Sequence, residues 1–174
     1  MSATVREAGT RFLATLEIVR RELAHLARSK ARLEGETINR QWVKSLDTNL
    51  DAADMLEAFG SRYGRIQDTI GSKLLPRALM AVAEEPGSML DNLARAERLG
   101  WIASEEQWLD ARELRNRLMH EYMTDPDQSA KDIQAAIEYV TLFRQAYENF
   151  LALAKKQFGV SEGDLVKYLE NLAG

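Results

Sequence analysis

The chain has 174 residues, 45% of them hydrophobic and 29% charged, with a formal net charge of −4. This length and composition fit a single globular domain with a sizeable core and exclude a fibrous or largely disordered chain. The sequence contains no cysteine and two histidines, which excludes disulfides and thiolate metal sites and argues against a structural zinc site, so we expect no metal and no cofactor.

The sequence also limits the expected location and partners. No stretch approaches the ~20 apolar residues that span a bilayer, and the N-terminus lacks a long apolar segment ahead of a cleavage site. We therefore expect a soluble, cytoplasmic protein with no membrane partner. The net negative charge argues against broad non-specific nucleic-acid binding, although a local basic patch could still bind nucleic acid.

Hydrophobic residues recur at helical spacing in the first half of the chain. The repeat predicts a helix over residues 4–33, a turn around Gly35 and a second helix that begins near Thr37 and continues to Leu74. Gly60 and Gly64 inside this second helix indicate a kink or a close helix crossing. The apolar positions that define the two stripes are Leu16, Val19, Leu23 and Leu26 in the first helix, and Trp42, Leu46, Leu50, Ala53, Leu56, Phe59, Tyr63, Ile66, Ile70 and Leu74 in the second.

Capping signals divide the second half of the chain. The segment EEPGS breaks the helical pattern, and Ser88 is a suitable cap for a helix over 89–99 that Gly100 would end. Ser104 and Gln107 form a capping-box pattern that opens the next helix, and TDPDQS stops it near 124–126. A long helix then begins at about Ser129, and VSEGD caps a short C-terminal helical extension over 161–172.

These elements predict an all-α protein, an antiparallel helical bundle of four to five main helices in one domain over residues 1–174. No repeat, low-complexity tract or linker divides the chain. We expect His25, Trp42, Trp101 and Trp108 to be packing residues.

The segment ELRNRLMHEY, residues 113–122, concentrates polar side chains on one of these helices. Arg115 and His120 would lie roughly 140° apart around the axis and ~7.5 Å apart along it, while Leu114 and Leu118 face the core, so the arginine and the histidine would flank a groove. A guanidinium binds phosphate, and an imidazole transfers protons near neutral pH, which together suit metal-free phosphodiester chemistry. The alternative is structural: solvated arginines and a histidine that complements the helix dipole.

The residues RNRLMHEY match R-x-x-x-x-H-x-Y with an asparagine after the arginine, the pattern of the HEPN superfamily. The chain resembles in particular the HepT-like toxins that are encoded beside a minimal nucleotidyltransferase. The segments FGSRYGRIQDTIGSKLLPRAL and LGWIASEEQWLDARELRN are similar to the central helices of that family. The resemblance covers roughly residues 37–150.

This resemblance implies a homodimeric, metal-independent RNase toxin that cuts RNA by attack of the ribose 2′-hydroxyl and leaves a cyclic phosphate. Arg115 would hold the scissile phosphate, Asn116 would orient it, and His120 would transfer the proton. The partner nucleotidyltransferase would neutralise the toxin by adding AMP to Tyr122, which has an ordinary packing role as its alternative.

Further residues could support such a site from nearby. Asp68 could approach from the neighbouring helix and position Arg115 or His120, or be merely solvated. The expected RNA-binding rim, which could equally be an exposed charged face, comprises Arg62, Arg65, Arg112 and Arg117, with Lys73 and Arg77 beyond it. A surplus of apolar residues at Phe59, Tyr63, Trp101, Trp108 and Tyr122 also suggested a two-fold dimer interface.

Three functions remain open at the level of sequence. The first is the RNase toxin, the second is a non-catalytic HEPN module that binds a nucleotidyltransferase and presents substrate or nucleotide to it, and the third is a helical dimer with no nucleotide role. The intact arginine and histidine favour the first function, because a binding module does not need a proton-transfer residue. The acidic net charge favours the second.

Overall fold

The computed structural model describes residues 3–120 and 124–173, with side chains described for residues 4–118 and 124–171. Every regular element in this part of the chain is a helix, which confirms the all-α prediction. The helices are α1 (Ala3–Glu34), α2 (Arg40–Ser45), α3 (Leu50–Thr69), α4 (Leu75–Ala81), α5 (Met89–Arg98), α6 (Glu105–His120), α7 (Pro126–Phe158) and α8 (Leu165–Ala173). A π-helical turn, Ile70–Leu74, joins α3 to α4, and a 3₁₀ turn, Glu162–Asp164, precedes α8.

Helix α1 is the centre of the bundle and packs against α3, α4, α7 and α8, while α6 packs between α3 and α7. The hydrogen bonds between α1 and the α3–α4 segment join successively later residues of one to earlier residues of the other, so the two run antiparallel. These bonds link Arg62 to Ser29, Thr69 to Glu22, and Arg77 to Thr15. The same reversal relates α6 to α7, where Arg117 meets Asp132 and Trp108 meets Phe143.

The helix expected between Thr37 and Leu74 is in fact interrupted, and that prediction was wrong. Asn39 caps α2 by accepting a hydrogen bond from the Trp42 backbone N–H, and Asn49 caps α3 in the same way at Ala52. The side-chain carbonyl of each asparagine satisfies an N–H that a helix leaves without a partner in its first turn. Because Leu46 and Leu50 keep helical spacing across the break, the hydrophobic pattern alone conceals it.

Most predicted helix ends are confirmed. Ser88 forms a capping box with Asp91, Gly100 takes a left-handed conformation at φ 74°, and the Gln107 N–H donates to Ser104. Helix α7 begins at Pro126, earlier than expected, because Asp125 caps it and proline is favourable in a first turn.

The core is aromatic where α1, α3, α6 and α7 meet. The Tyr63 ring stands edge-on to Phe143 at 5.0 Å between centroids, and its hydroxyl donates to the Ala111 carbonyl of α6 at 2.9 Å. Trp42, Trp101 and Trp108 are buried as predicted, whereas His25 is exposed on the outer side of α1 and its assignment to packing was wrong.

Four of the aromatic residues that suggested a dimer interface are already buried inside this chain. Phe59, Tyr63, Trp101 and Trp108 are at most 6% exposed. They therefore offer no surface to a second copy. No described helix has an apolar stretch long enough to cross a bilayer.

Candidate functional site

Helix α6 positions the polar cluster by burying one stripe and exposing the rest. Leu114 and Leu118 are 2% and 8% exposed and face the core, as their four-residue spacing requires. Arg115 follows Leu114 at the edge of this buried stripe, and Asn116 lies further round on the exposed side. The sequence of α6 thus places one arginine where the helix meets its neighbour α3 and leaves the next residue in solvent.

Arg115 lies across α3 on a glycine. A Cβ added to Gly64 would fall 2.5 Å from the Arg115 Nε and 3.1 Å from its Cζ, so the guanidinium occupies the space that a side chain at position 64 would fill. Any larger residue at this position would displace it. Gly64 is therefore a point of close approach, as the sequence suggested, and the group that approaches it is the Arg115 side chain.

Asp68 holds the guanidinium from one turn further along α3. The Arg115 Nη1 donates to Asp68 Oδ1 at 2.9 Å, and the two side chains are 34% and 57% exposed. This is the single hydrogen-bonding partner of the Arg115 side chain in the described part of the chain, so N–H donors remain for a ligand. The contact pre-orients an arginine that still faces solvent.

The other two residues of the motif are placed less fully. His120 is the last residue of α6, and its backbone lies one and a half turns beyond Arg115, but its side chain is outside the described residues. Tyr122, the expected AMP acceptor, also lies outside them. The structure therefore brings Arg115 and Asp68 into contact and places Asn116 on the exposed side of α6.

The four arginines of the expected rim have different surroundings. Arg65 is exposed beside Gly64 on α3, and Arg112 is exposed on α6 with its Nη1 at 3.1 Å from the Met89 Sδ. Arg62 donates to the Ser29 hydroxyl at 2.6 Å and ties α3 to α1.

Arg117 lies on the opposite flank of α6 from Arg115. Its Nε donates to Asp132 Oδ2 at 3.1 Å, and its Nη1 lies 3.3 Å from a Glu113 carboxylate oxygen. Asp132 is 10% exposed at its side chain and also accepts a hydrogen bond from Gln128. Arg117 is therefore a structural link between α6 and α7, and it does not share a surface with Arg115.

Two polar residues behind the site were not predicted from the sequence, because a hydrophobic pattern does not distinguish a buried polar residue from an exposed one. Gln67 is 3% exposed on α3, and neither polar atom of its carboxamide has a hydrogen-bond partner in the described part of the chain. A buried amide without partners costs about 1–3 kcal/mol. The α3 flank of α6 is thus less stable than full pairing would make it.

The second such residue is Glu22 of α1. Its Oε1 lies 3.0 Å from the Thr69 hydroxyl, which also lies 2.9 Å from the Arg65 carbonyl, and its Oε2 is buried without a described partner. The hydroxyl has one proton for two acceptors, so both contacts are hydrogen bonds when the carboxyl is protonated and donates to Thr69. Burial raises the pKa of Glu22, which favours that protonated form.

No protein-family model matches the sequence, no curated protein matches it, and no solved structure matches the fold. A function for this chain therefore has to be argued from the motif and from the geometry around Arg115.

Proposed function

We propose that the chain is a HEPN-type, metal-independent endoribonuclease, the toxin of a toxin–antitoxin pair, which cleaves RNA by attack of the ribose 2′-hydroxyl on the adjacent phosphorus. The observation that carries the proposal is the Arg115 guanidinium, which rests on Gly64, is oriented by Asp68 and remains partly exposed beside Asn116. An arginine held in this way is a pre-organised phosphate ligand.

In the proposed reaction the phosphate binds to the free N–H donors of Arg115. The 2′-oxygen forms a bond to phosphorus as the bond to the leaving 5′-oxygen breaks, which yields a 2′,3′-cyclic phosphate and a free 5′-hydroxyl. His120 transfers protons in this exchange, and Asn116 donates a hydrogen bond that orients the phosphate. Arg115 stabilises the extra negative charge on the phosphoryl oxygens, which is typically the largest contribution in such chemistry.

The proposal includes a homodimer. The exchange needs a base for the 2′-hydroxyl and an acid for the leaving oxygen, and each chain carries a single histidine in the motif. Two copies of His120 in one groove would supply both groups. Light scattering at micromolar concentration should report a dimer, and a monomer that retains activity would remove this composite site.

Regulation by a cognate nucleotidyltransferase is the next part of the proposal. Transfer of AMP to Tyr122 would place a phosphodiester close to Arg115 in sequence, where a tethered anion competes with RNA at high effective concentration. Mass spectrometry after incubation with the transferase and ATP should find AMP on Tyr122 and loss of cleavage. Modification at another residue would remove Tyr122 from this role.

A second candidate function is a non-catalytic module that presents nucleotide to the transferase. The net charge of −4 and the pairing of Arg117 with Asp132 favour it, because both reduce the positive charge available to RNA. This module would need Arg115 for phosphate binding but would not need His120. The histidine therefore distinguishes the two functions.

The deciding experiment is cleavage of a fluorescent RNA in EDTA by the wild type and by His120→Ala. We expect full activity of the wild type in EDTA, a cyclic phosphate product, and loss of cleavage in the variant. The matched control is Arg144→Ala, which removes an exposed charged side chain from α7. Cleavage that requires Mg²⁺ would contradict the mechanism, and absence of cleavage with retained binding to the transferase would favour the non-catalytic module.

A further inference from the structure

The exposed surface over the α1–α3 contact is rich in positive charge although the chain as a whole is acidic. Arg62 of α3 donates to the Ser29 hydroxyl and lies 3.4 Å from the His25 carbonyl, which fixes the level at which the two helices meet. His25 and Arg28 are exposed on α1 at this level, and Arg65 is exposed less than one turn further along α3. Four cationic or ionisable nitrogen-bearing side chains thus lie around one helix contact.

This surface continues to the candidate site. Arg65 directly follows Gly64, on which the Arg115 guanidinium rests, so it lies about 100° around α3 from that glycine. We name the set His25, Arg28, Arg62, Arg65 and Arg115 the basic strip. It crosses three helices, and because packed helices lie about 8–10 Å apart, it spans roughly 16–20 Å.

The basic strip keeps a net positive charge, because its four arginines have two carboxyl groups near them, those of Asp68 and Glu22. Asp68 forms an ion pair with Arg115 at the end of the strip. Glu22 lies at the α1–α3 contact, where its Oε1 is 3.0 Å from the Thr69 hydroxyl and its Oε2 is buried. The side chains of Arg28 and Arg65 form no hydrogen bond or salt bridge with the described residues.

We propose that the basic strip binds the backbone of a single-stranded polynucleotide and leads it across α3 onto Arg115. The length of the strip favours a polynucleotide as the ligand. A mononucleotide or a free phosphate would occupy one arginine, whereas a chain of phosphates can contact several at once. The proposal rests on the proposed ribonuclease for the identity of the polynucleotide as RNA. It adds α1, which the motif does not include, to the RNA-binding surface.

The test measures binding separately from cleavage. A fluorescein-labelled DNA oligonucleotide lacks the 2′-hydroxyl and cannot be cut by the proposed reaction, so fluorescence anisotropy reports binding alone. The variant is Arg28→Gln with Arg65→Gln. The control is Arg98→Gln with Arg144→Gln, which removes two exposed arginines from α5 and α7 and changes the net charge equally.

At low salt we expect the Arg28/Arg65 variant to bind at least ~10-fold more weakly than the wild type, with a slope of log K against log[salt] smaller by about two, one for each lost phosphate contact. The control variant should bind within about two-fold of the wild type, as expected for charges outside the contact surface. Equal weakening of both variants would show a response to net charge and would overturn the proposal, as would a wild type that does not bind.

Two further outcomes distinguish the basic strip from the proposed ribonuclease activity. If the wild type cleaves RNA but the Arg28/Arg65 variant binds normally, the ribonuclease stands and the basic strip is wrong. If the variant loses binding while the wild type cleaves no RNA, the strip stands and the ribonuclease is wrong. Vesicles that contain phosphatidylserine are the second polyanion tested. If the Arg28/Arg65 variant loses binding to these vesicles but keeps binding to the oligonucleotide, the assignment to polynucleotide is overturned.

Discussion

The two flanks of α6 hold arginines two residues apart in the same motif, and the structure uses them differently. On the α7 flank, Arg117 meets an aspartate that is 10% exposed and accepts a further hydrogen bond from Gln128. On the α3 flank, Arg115 rests on a glycine and meets an aspartate that is 57% exposed. The first arrangement completes the pairing of its charges and stabilises the fold, whereas the second fixes the direction of a charge and leaves it accessible.

The polar residues behind each flank extend this difference. Behind the α3 flank, Gln67 is buried without a described partner and Glu22 carries a buried, unpaired oxygen. On the α7 flank both carboxylate oxygens of Asp132 accept hydrogen bonds, and Trp108 packs edge-on to Phe143 at 5.6 Å between ring centroids. Unpaired buried polar groups are expected where a surface is kept for binding, because full pairing would close it.

The largest expected effect comes from removing each of the two arginine side chains in turn. Arg115→Ala should reduce RNA cleavage by ~100-fold or more, because it removes the phosphate ligand, and should change the free energy of unfolding by less than about 0.5 kcal/mol. Arg117→Ala should reduce stability by about 1–3 kcal/mol, since it leaves the Asp132 carboxylate without its cation. Cleavage rates and urea unfolding of both variants measure this. Loss of stability in the Arg115 variant with unchanged cleavage would reverse the assignment of the flanks.

The second prediction moves Arg115 without changing its charge. Gly64→Ala places a Cβ against the guanidinium, so the side chain must leave Asp68, and we expect cleavage to fall by about 10-fold. Stability should stay constant or rise by about 0.5–1 kcal/mol, because alanine is the better helix former. The control is Gly71→Ala on the same helical segment, whose Cβ would meet the Trp108 Nε1 at an ordinary 3.5 Å. Equal activity of the two variants would show that the position of Arg115 is unimportant.

These contacts mark the limit of what the sequence could predict. Several helix ends depend on contacts or conformations within a few residues along the chain, so the local sequence predicts them. These ends are set by Ser88, Gly100, Ser104 and Ser161. The break before Asn49 was missed because Leu46 and Leu50 continue the apolar spacing through it.

Residues two apart on a helix lie about 200° apart around its axis, so the placement of Arg115 and Arg117 on opposite flanks follows from their spacing, whereas the partner of each does not. Both arginines have the same residue type and similar sequence neighbours, and they differ in which helix packs beside them. The motif did suggest an approach of Asp68, and the structure places the two side chains in contact. The glycine beneath Arg115 was noted as a crossing point, but the group that crosses there depends on the tertiary packing.

The third prediction concerns the unpaired amide behind the α3 flank. Gln67→Met replaces the carboxamide by an apolar group of similar length, so it should stabilise the fold by about 1–2 kcal/mol. Thermal unfolding measures this, and Gln128→Met is the control, because that side chain donates to Asp132 and its loss should destabilise. A destabilised Gln67 variant would indicate that the amide has a partner, such as an ordered water.

The smallest expected effect is a pH dependence that compares two carboxyl groups of α1. Burial raises the pKa of Glu22 above its ordinary 4.5, so the folded chain holds a proton that the unfolded chain releases, and stability falls as the pH rises from about that value through the raised pKa. Hydrogen bonds from Arg20 and Arg21 lower the pKa of Glu17, so its contribution is present above the ordinary value and is lost as the pH falls.

The two substitutions by glutamine should therefore act in opposite directions at neutral pH. Glu22→Gln imitates the protonated carboxyl and should stabilise the fold by on the order of 1 kcal/mol while removing the decline in stability at higher pH. Glu17→Gln removes the negative charge and replaces one of the two accepting oxygens by an NH2 donor, so it should destabilise the fold, because Glu17 is fully buried and paired. Urea unfolding between pH 4 and pH 8 measures both slopes. If Glu22→Gln destabilises at neutral pH as Glu17→Gln does, then Glu22 is ionised and paired in the folded chain, and the α3 flank has no unpaired carboxyl behind it.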